Sequence, residues 1–435
     1  MTTYGSNHES WGRWVRSKPA RVIDVQWSSE LPRVDDLVLP YGLGRSYGDV
    51  CLNNGHTLLD VSRLNRIRHF DVEQGILDIE AGASLDEILR LIVPRGWFLP
   101  VTPGTKFVTV GGCIANDVHG KNHHRAGTFG CHVSSFQLVR SDGTRLRCSA
   151  GENPELFAAT IGGLGLTGLI VSAELRLRKI ESSAIVAERE PFRSLEEFDR
   201  LSRDCDASHE FTVAWFDSSS GRNSKGIFFR GNHAGAEAGA PVVTRRRARR
   251  LPIAPFSPFF GPVAVRLFNT AYFRANARGE PRLADYDPFF YPLDAVANWN
   301  RIYGANGFVQ YQFLIPDGAG LEPVAEILDR AARSRRASFL TVIKRFGSVP
   351  SPGLLSFPRA GLTVALDFST RRSDALLPLL ELFDDIVEAA GGSVYPAKDA
   401  RMSASRFQRF FPQWVEMKKH VDPGYSSSFW RRVTG

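Results

Sequence analysis

Two glycine-rich stretches about sixty residues apart constrain this chain more than anything else in it. The first reads Pro40-Tyr41-Gly42-Leu43-Gly44-Arg45-Ser46-Tyr47-Gly48-Asp49. The second runs from Pro103-Gly104-Thr105 through Val110-Gly111-Gly112 to Asn116-Asp117-Val118-His119-Gly120-Lys121-Asn122-His123-His124. Turns without side chains let consecutive backbone N–H groups converge on phosphate oxygens, and small residues let a flat ring approach the main chain. Each stretch taken alone reads first as a set of tight turns. Together, in one α+β pattern, they point to a cofactor that carries a pyrophosphate.

A third cluster, Gly163-Leu164-Gly165-Leu166-Thr167-Gly168, matches GxGxxG in form. A dinucleotide fingerprint must follow a strand and open a helix, so that phosphate meets the helix N-terminus. Here the order is reversed. Asn153-Pro154 opens a helix through Phe157 and Ile161. Beyond the cluster, Leu169, Val171, Ala173, Leu175 and Leu177 alternate with Ser172, Glu174, Arg176 and Arg178, as in a half-buried strand. The cluster is therefore read as a helix-to-strand turn, and a Rossmann NAD domain is disfavoured. No GxxxxGKS or GxxxxGKT loop occurs either.

Elsewhere, Ser84 followed by Glu87 forms a capping box. Leu85, Ile88, Leu89, Ile92 and Val93 share one helical face, and Gly96 closes that helix. Residues 58–61 and 76–79 read as strands around a polar link at 65–74. From about 181 to 392, strand-like runs at 211–216, 226–230, 308–315, 339–346 and 362–368 alternate with amphipathic helices at 321–332 and 374–390. That is an α+β pattern with a large antiparallel sheet. Within it, residues 231–250 are rich in Gly and Ala and end in Arg245-Arg246-Arg247-Ala248-Arg249-Arg250, so a mobile loop is expected near 231–262. The last segment carries Tyr395, Lys398 and a helix-like run at 407–415.

A length of 435 residues favours two domains, or one with a large insertion. With 43% hydrophobic and 23% charged residues, a disordered chain is excluded. The net charge of +8 would suit phosphate, nucleic acid or an anionic membrane and does not choose among them. Cys51, Cys113, Cys131, Cys148 and Cys205 are odd in number and scattered without a CxxC pair, which argues against a zinc site or a disulfide framework. The N-terminus lacks the basic start and apolar core of a secretory signal. The least charged long stretch, 251–265, holds four prolines and falls short of the roughly 20 apolar residues a spanning helix needs. A cytoplasmic or peripheral membrane protein is expected.

The runs GLGRSYGD, TPGTKFVTVGG, DVHGKNHHRAGTFG, GGLGLTG, VAWFD, FFYPLD, VQYQFLIP and YPAKD follow one another from about residue 41 to 399. In that order they resemble the vanillyl-alcohol-oxidase type of FAD-dependent oxidoreductase, and within it the branch that oxidises a prenyl-phosphate-linked ribose. HGKNHH is the distinctive run. The resemblance implies a two-domain α+β fold. An FAD-binding domain over 1–180 would be completed by a C-terminal segment, 393–435, with an antiparallel-sheet substrate domain at 181–392 inserted between them. FAD would lie between Gly42, Leu43, Gly44, Arg45, Ser46 and Tyr47 on one side and Gly104, Thr105, Thr109, Val110, Gly111 and Gly112 on the other. Asn116, Gly168 and Ile170 would also touch it, with His119 near the isoalloxazine and Tyr395 closing the pocket. Relatives with covalently attached flavin carry His near the position of Arg45, so the resemblance implies non-covalent FAD here.

The same resemblance gathers Lys121, Trp215, Tyr291, Arg301, Gln310, Gln312, Lys344 and Lys398 around the substrate, with Lys398 and His119 as the catalytic pair. It implies oxidation of the 2′-hydroxyl of a polyprenyl-phosphoryl ribose to the keto sugar. This would be the first half of an epimerisation to arabinose for cell-wall arabinan, completed by a separate short-chain keto-reductase. A relative's reactive cysteine is replaced here by Ala365 in Val364-Ala365-Leu366-Asp367-Phe368, so no thiol is available there. Plainer readings stand beside these. His119 also reads as a buried, hydrogen-bonded histidine. Lys121, Lys344 and Lys398 also read as solvated charges, and Trp215 and Tyr291 as core aromatics. His119, His123 and His124 lack the carboxylate or Cys spacing of a metal site. The run at 245–250, beside Phe256, Phe259 and Phe260, reads as a solvated loop or as a basic edge meeting anionic lipid. No nucleic-acid fold motif accompanies it. The alternative functions are an oxidase of a soluble sugar, alditol or aldonolactone, and a non-enzymatic binding protein.

Overall fold

The computed structural model describes residues 8–240, 242–243, 249–250, 262–277, 279–334, 336, 338, 340–370 and 373–435. In the first part of the chain, β1 (Arg21–Asp24), β2 (Val38–Tyr41) and β3 (Thr57–Asp60) form a small parallel sheet ordered β1-β3-β2. There follow β4 (Ile67–Asp71), β5 (Ile76–Glu80), α1 (Leu85–Ile92), β6 (Trp97–Phe98), α2 (Val110–Ala115), α3 (His123–Ala126), β7 (Val133–Val139), β8 (Arg145–Ser149), α4 (Pro154–Thr160), β9 (Leu169–Arg176) and β10 (Arg178–Lys179). Five of these strands make an antiparallel sheet ordered β4-β5-β9-β7-β8, and β6 pairs with β10.

Local signals account for much of this. The Ser84 hydroxyl accepts the Glu87 N–H at 3.2 Å, the Glu87 carboxylate accepts the Ser84 N–H at 2.8 Å, and Gly96 at φ +78 stops the turn after α1. The cluster at 163–168 joins α4 to β9, with Leu164, Gly165 and Gly168 at positive φ. It is the helix-to-strand turn its context predicts. Two readings are corrected. The polar link at 65–74 contains β4, an edge strand so exposed that no apolar alternation marks it. The run at 169–177 is the central strand of its sheet and is buried on both faces as far as Ala173, Ser172 included.

The second part comprises β11 (Ala184–Phe192), α5 (Leu195–Cys205), β12 (Phe211–Phe216), β13 (Gly226–His233), β14 (Arg249–Arg250), α6 (Pro262–Asn276), β15 (Arg282–Asp285), α7 (Tyr286–Phe290), β16 (Val296–Ala297), β17 (Phe308–Pro316), α8 (Glu322–Arg333), β18 (Thr341–Phe346), β19 (Gly361–Ser369), α9 (Ser373–Ala389) and β20 (Ser393–Val394). Eight of these strands build one antiparallel sheet ordered β15-β11-β13-β12-β18-β19-β17-β20. Of the loop expected near 231–262, residues 231–233 belong to β13 and 249–250 to β14. Positions 241, 244–248 and 251–261, with Phe256, Phe259 and Phe260 among them, lie outside the described residues, as does Phe339.

The two faces of the large sheet differ sharply. On one, Ala214, Phe228, Phe313, Ile343 and Val364 pack with Phe198 and Leu201 of α5, Ile327 and Leu328 of α8, and Leu380 and Phe383 of α9. Each such large side chain contributes about 1.5–3 kcal/mol on burial, so this face is committed to the core. The opposite face carries the polar residues of the site. After the sheet come α10 (Ala404–Phe410), α11 (Trp414–His420) and α12 (Ser428–Thr434). The single helix read at 407–415 is thus two, separated at Pro412, which supplies no N–H and keeps Phe411 out of helical geometry. This segment returns to the first part of the chain. The Asp422 N–H bonds Leu166 O at 2.9 Å, the Ser428 N–H bonds Leu52 O at 2.8 Å, and Arg432 bridges Asp49 and Asp399. The fold is α+β. Among the described residues no helix is long and apolar enough to cross a membrane.

Candidate active site

A cavity of about 2020 Å³ opens between the glycine-rich loops and the polar face of the eight-stranded sheet. Ordinary small-molecule clefts reach ~1,000 Å³, so this one has room for a dinucleotide and a second ligand. The first loop leaves β2 and packs on the second. A Cβ on Gly42 would stand 2.6 Å from Thr109 Oγ1, so only glycine fits. Gly44 turns at φ +60 with the Tyr41 hydroxyl where its side chain would begin. The Tyr47 N–H is tied to Ala397 O at 2.9 Å. Between these anchors the amides of Leu43, Gly44 and Ser46 meet no acceptor among the described residues.

The second loop is built differently from the expectation. The amides of Val110, Gly111 and Gly112 are already bonded, to Ala83 O, Ala81 O and Thr109 Oγ1. They shape the wall without offering donors to phosphate. The Val110 side chain is fully buried and leaves the wall to its neighbours. Gly104, Thr105, Thr109, Gly111, Gly112, Asn116, Gly168 and Ile170 do line the cavity. Gly104 faces open space, and the buried Asn116 Oδ1 has no partner among the described residues. Tyr395 donates its hydroxyl to Asn116 O at 2.8 Å and stacks on Phe357 with centroids 4.7 Å apart.

The sheet wall follows from strand periodicity. Gln310 and Gln312 on β17, Thr363 and Ala365 on β19, and Val342 and Lys344 on β18 all face the cavity, each pair two residues apart. The intervening Tyr311, Val364 and Ile343 point into the core. Gln310 donates Nε2 to Asp367 Oδ1 at 2.6 Å, its direct partner in register. Gln312 Nε2 lies 3.2 Å from Thr363 Oγ1 and 3.1 Å from His119 Nε2. Lys398 arrives from the turn after β20 and sets Nζ 3.5 Å from the centroid of the Tyr47 ring, joining the two walls. Arg45 stacks its guanidinium 4.1 Å from the ring of Trp11, and Arg301 is exposed at the cavity edge.

Burial dominates the electrostatics. It lowers Lys398 to about 7, with Asp367 pulling it up and Lys344 pushing it down, and lowers Lys344 to about 8. It raises the Asp367 carboxyl to about 7. His119 is held well below the usual imidazole range by burial, reinforced by Lys344, His123 and Lys398, so it stands neutral. Among the described residues no group of three His, Cys, Asp or Glu side chains is placed to hold a metal ion.

Besides Val110, three expected site residues lie off the wall. Lys121 gives its Nζ to the Phe289 carbonyl, 4.6 Å from that ring's centroid. Burial and Lys344 lower it to about 7. Tyr291 is a core aromatic whose hydroxyl meets Thr102 Oγ1 at 2.7 Å. Trp215 is on the cavity-facing side of the sheet but one strand beyond Val342, packed 4.6 Å from Tyr272. The sequence reading in turn overlooked Thr363, Val342, Trp11, Asp294 and Asp367. Asp294 accepts from Thr105 Oγ1 at 2.7 Å and the Lys106 N–H at 3.0 Å, tying the second loop to the turn at Pro292–Ala295. Counting alternate positions outward from Ala365 would have found Thr363 and Asp367.

The residues present fit FAD: unmet amides at Leu43, Gly44 and Ser46, an unpartnered Asn116 Oδ1, an open Gly104, and enough volume. Comparison with known proteins agrees. Residues 30–149 match the FAD binding domain family. The chain is similar to decaprenylphosphoryl-beta-D-ribose oxidase of Mycolicibacterium smegmatis, at 34% identity over 91% of this chain and 89% of that one. It is also similar to human Delta(24)-sterol reductase, 34% identical over 30% of this chain and 25% of that one. To mouse L-gulonolactone oxidase the identity is 27%, over 49% and 47%. Matched along most of its length by the first of these, the chain belongs to the family of FAD-linked oxidoreductases that includes decaprenylphosphoryl-beta-D-ribose oxidase.

Proposed function

We propose that this enzyme oxidises the 2′-hydroxyl of a polyprenyl-phosphoryl ribose to the ketone, with FAD held non-covalently. The observation that carries the reading is Lys398, half-buried within electrostatic reach of Asp367 and with Nζ 3.5 Å from the Tyr47 ring centroid, at the junction of the loop and sheet walls. Arg45, stacked on Trp11, has no nucleophile with which to bond a flavin. We also propose the division into an FAD-binding domain of 1–180 and 393–435 and a substrate domain of 181–392. The bonds from Asp422, Ser428 and Arg432 back to Leu166, Leu52 and Asp49 support it.

Bound FAD would supply the acceptor for the hydride leaving the sugar carbon. The protein's part is to hold that carbon in place and remove the hydroxyl proton. With its midpoint near neutrality, Lys398 is poised to accept that proton when neutral and to hydrogen-bond the oxygen when charged. Gln310 and Gln312 offer amides to the neighbouring hydroxyls, and Lys344 offers a positive charge to the sugar oxygens. Neutral His119 adds a polar edge without a second full charge. Arg301 at the cavity edge suits the phosphodiester. A keto product requires a separate reductase to complete epimerisation. A prenyl substrate brings the enzyme to a membrane surface, where Leu267 and Phe268, exposed between Arg266 and Arg274 on α6, suit the contact.

The test is direct. Protein purified with added FAD should be yellow, and acid precipitation should leave the colour in the supernatant. Under anaerobic conditions prenyl-phosphoryl ribose should bleach it while free ribose, alditols and aldonolactones leave it unchanged. Bleaching by a free sugar alone would transfer the assignment to the soluble-sugar alternative, and colour in the pellet would overturn non-covalent binding.

A further inference from the structure

Asp367 is a buried carboxylate that the reaction as derived does not use. It lies opposite Gln310 in the β17–β19 register and accepts Gln310 Nε2 at 2.6 Å on one oxygen and the Tyr303 hydroxyl at 3.2 Å on the other. In its charged form the carboxylate only accepts, so the Gln310 atom facing it is then nitrogen. The Gln310 carbonyl oxygen is then the group left over for the cavity. The groups acting on Lys398 come from four elements: Asp367 on β19, Lys344 on β18, His119 beyond α2, and the Tyr47 ring of the first loop. Asp367 is the carboxylate among them, set against two nitrogen bases and a ring.

We propose that Asp367 is a positioning residue for the oxidation: it fixes the Gln310 amide with its oxygen toward the substrate and supplies the negative charge that governs the protonation of Lys398. The proposal rests on the reading of Lys398 as the group that handles the hydroxyl proton. Its chemical logic is simple. Without a counter-charge, burial and Lys344 would lower Lys398 further, and more of the amine would be neutral before substrate arrived. With Asp367 in place the lysine can hold its proton or release it within the physiological range. The carboxyl itself is raised by burial toward the same range, so the two groups respond to pH together.

The test separates charge from shape. Asp367→Asn keeps an acceptor for Gln310 and removes the charge. Competitive acylation of Lys398 across a pH series, read by peptide mass spectrometry on the FAD-loaded full chain, gives the lysine's midpoint whether or not substrate reacts. The midpoint should fall by about one pH unit or more in Asp367→Asn, and by less in Tyr303→Phe, which loses one hydrogen bond to the carboxylate. An unchanged midpoint in FAD-loaded Asp367→Asn overturns the proposal. If Asp367→Asn fails to load FAD, Tyr303→Phe decides alone, an unchanged midpoint again overturning it. Anaerobic bleaching of the wild type by prenyl-phosphoryl ribose is run in parallel. Its failure alongside a lowered midpoint would sink the substrate reading and leave the role of Asp367 standing.

Discussion

On the loop side of the cavity, Leu43, Gly44 and Ser46 offer backbone amides, and the neighbouring glycines are there because side chains would collide. On the sheet side, Gln310, Gln312, Lys344 and Thr363 act through side chains held on strands whose other face is sealed by α5, α8 and α9. The difference sets what each wall tolerates. The loop wall should accept changes of chemistry that add no volume and reject added atoms. The sheet wall should accept small losses of volume and reject loss of charge or of a hydrogen-bonding group. A flavin-binding wall and a reacting wall can therefore be broken separately.

The largest separation is expected at Lys398. Lys398→Ala leaves Leu43, Gly44 and Ser46 untouched, so FAD should remain bound with its visible spectrum. Substrate-driven bleaching should slow by about 10²–10⁴-fold, the usual contribution of a positioned acid or base. Stopped-flow absorbance under anaerobic conditions reads both quantities. Bleaching at the normal rate would remove Lys398 from its role, and loss of FAD would show that the walls are coupled through the Tyr47 ring.

The converse change is Gly42→Ala. Its methyl group would stand 2.6 Å from Thr109 Oγ1, so the two loops must part. Overpacking of this kind costs about 1–3 kcal/mol, which in FAD affinity is roughly 5- to 150-fold. The rate of bleaching at saturating FAD should stay within a few-fold of wild type. Fluorescence titration of the stripped protein measures the first, and the same stopped-flow assay the second.

The two walls also differ in how much of them the sequence discloses. The loop wall is local: Gly42, Gly44, Gly104 and Thr109 occur within short runs whose turn chemistry can be read residue by residue. Even there, the amides of Val110, Gly111 and Gly112 are not free for phosphate: the first two are taken by Ala83 and Ala81, a pairing that only the folded strand end reveals, and the third by the Thr109 hydroxyl. The sheet wall depends on register between segments far apart in the chain. Its strands were legible, since alternation marks β17 and β19. That Asp367 faces Gln310 is a consequence of pairing and was not. Trp215 and Tyr291 show the limit of resemblance: it gathers both around the substrate, whereas residue type alone reads them as core aromatics, and one packs on Tyr272 while the other bonds Thr102 in the core. The exposed edge strand β4 escaped because, of its residues, Phe70 alone packs against the core, too little to make an apolar alternation.

The smallest expected effect gives the finest resolution between wall and scaffold. Thr109 caps α2 by accepting the Gly112 N–H at 3.1 Å, and Ser194 caps α5 by accepting the Glu197 N–H at 3.2 Å. Losing either cap to alanine should cost about 1 kcal/mol in unfolding free energy, measured as a shift in denaturant midpoint at constant slope. By stability alone Thr109→Ala and Ser194→Ala should be hard to tell apart. They should differ in FAD affinity. Thr109 is also the surface against which Gly42 closes, so its loss loosens the contact between the two loops, whereas Ser194 supports a helix on the far face of the sheet. A few-fold weaker FAD binding in Thr109→Ala, with none in Ser194→Ala, would confine the cofactor wall to the loop contact. Equal weakening in both would mean that global stability, and not the meeting of the two loops, limits how tightly FAD is held.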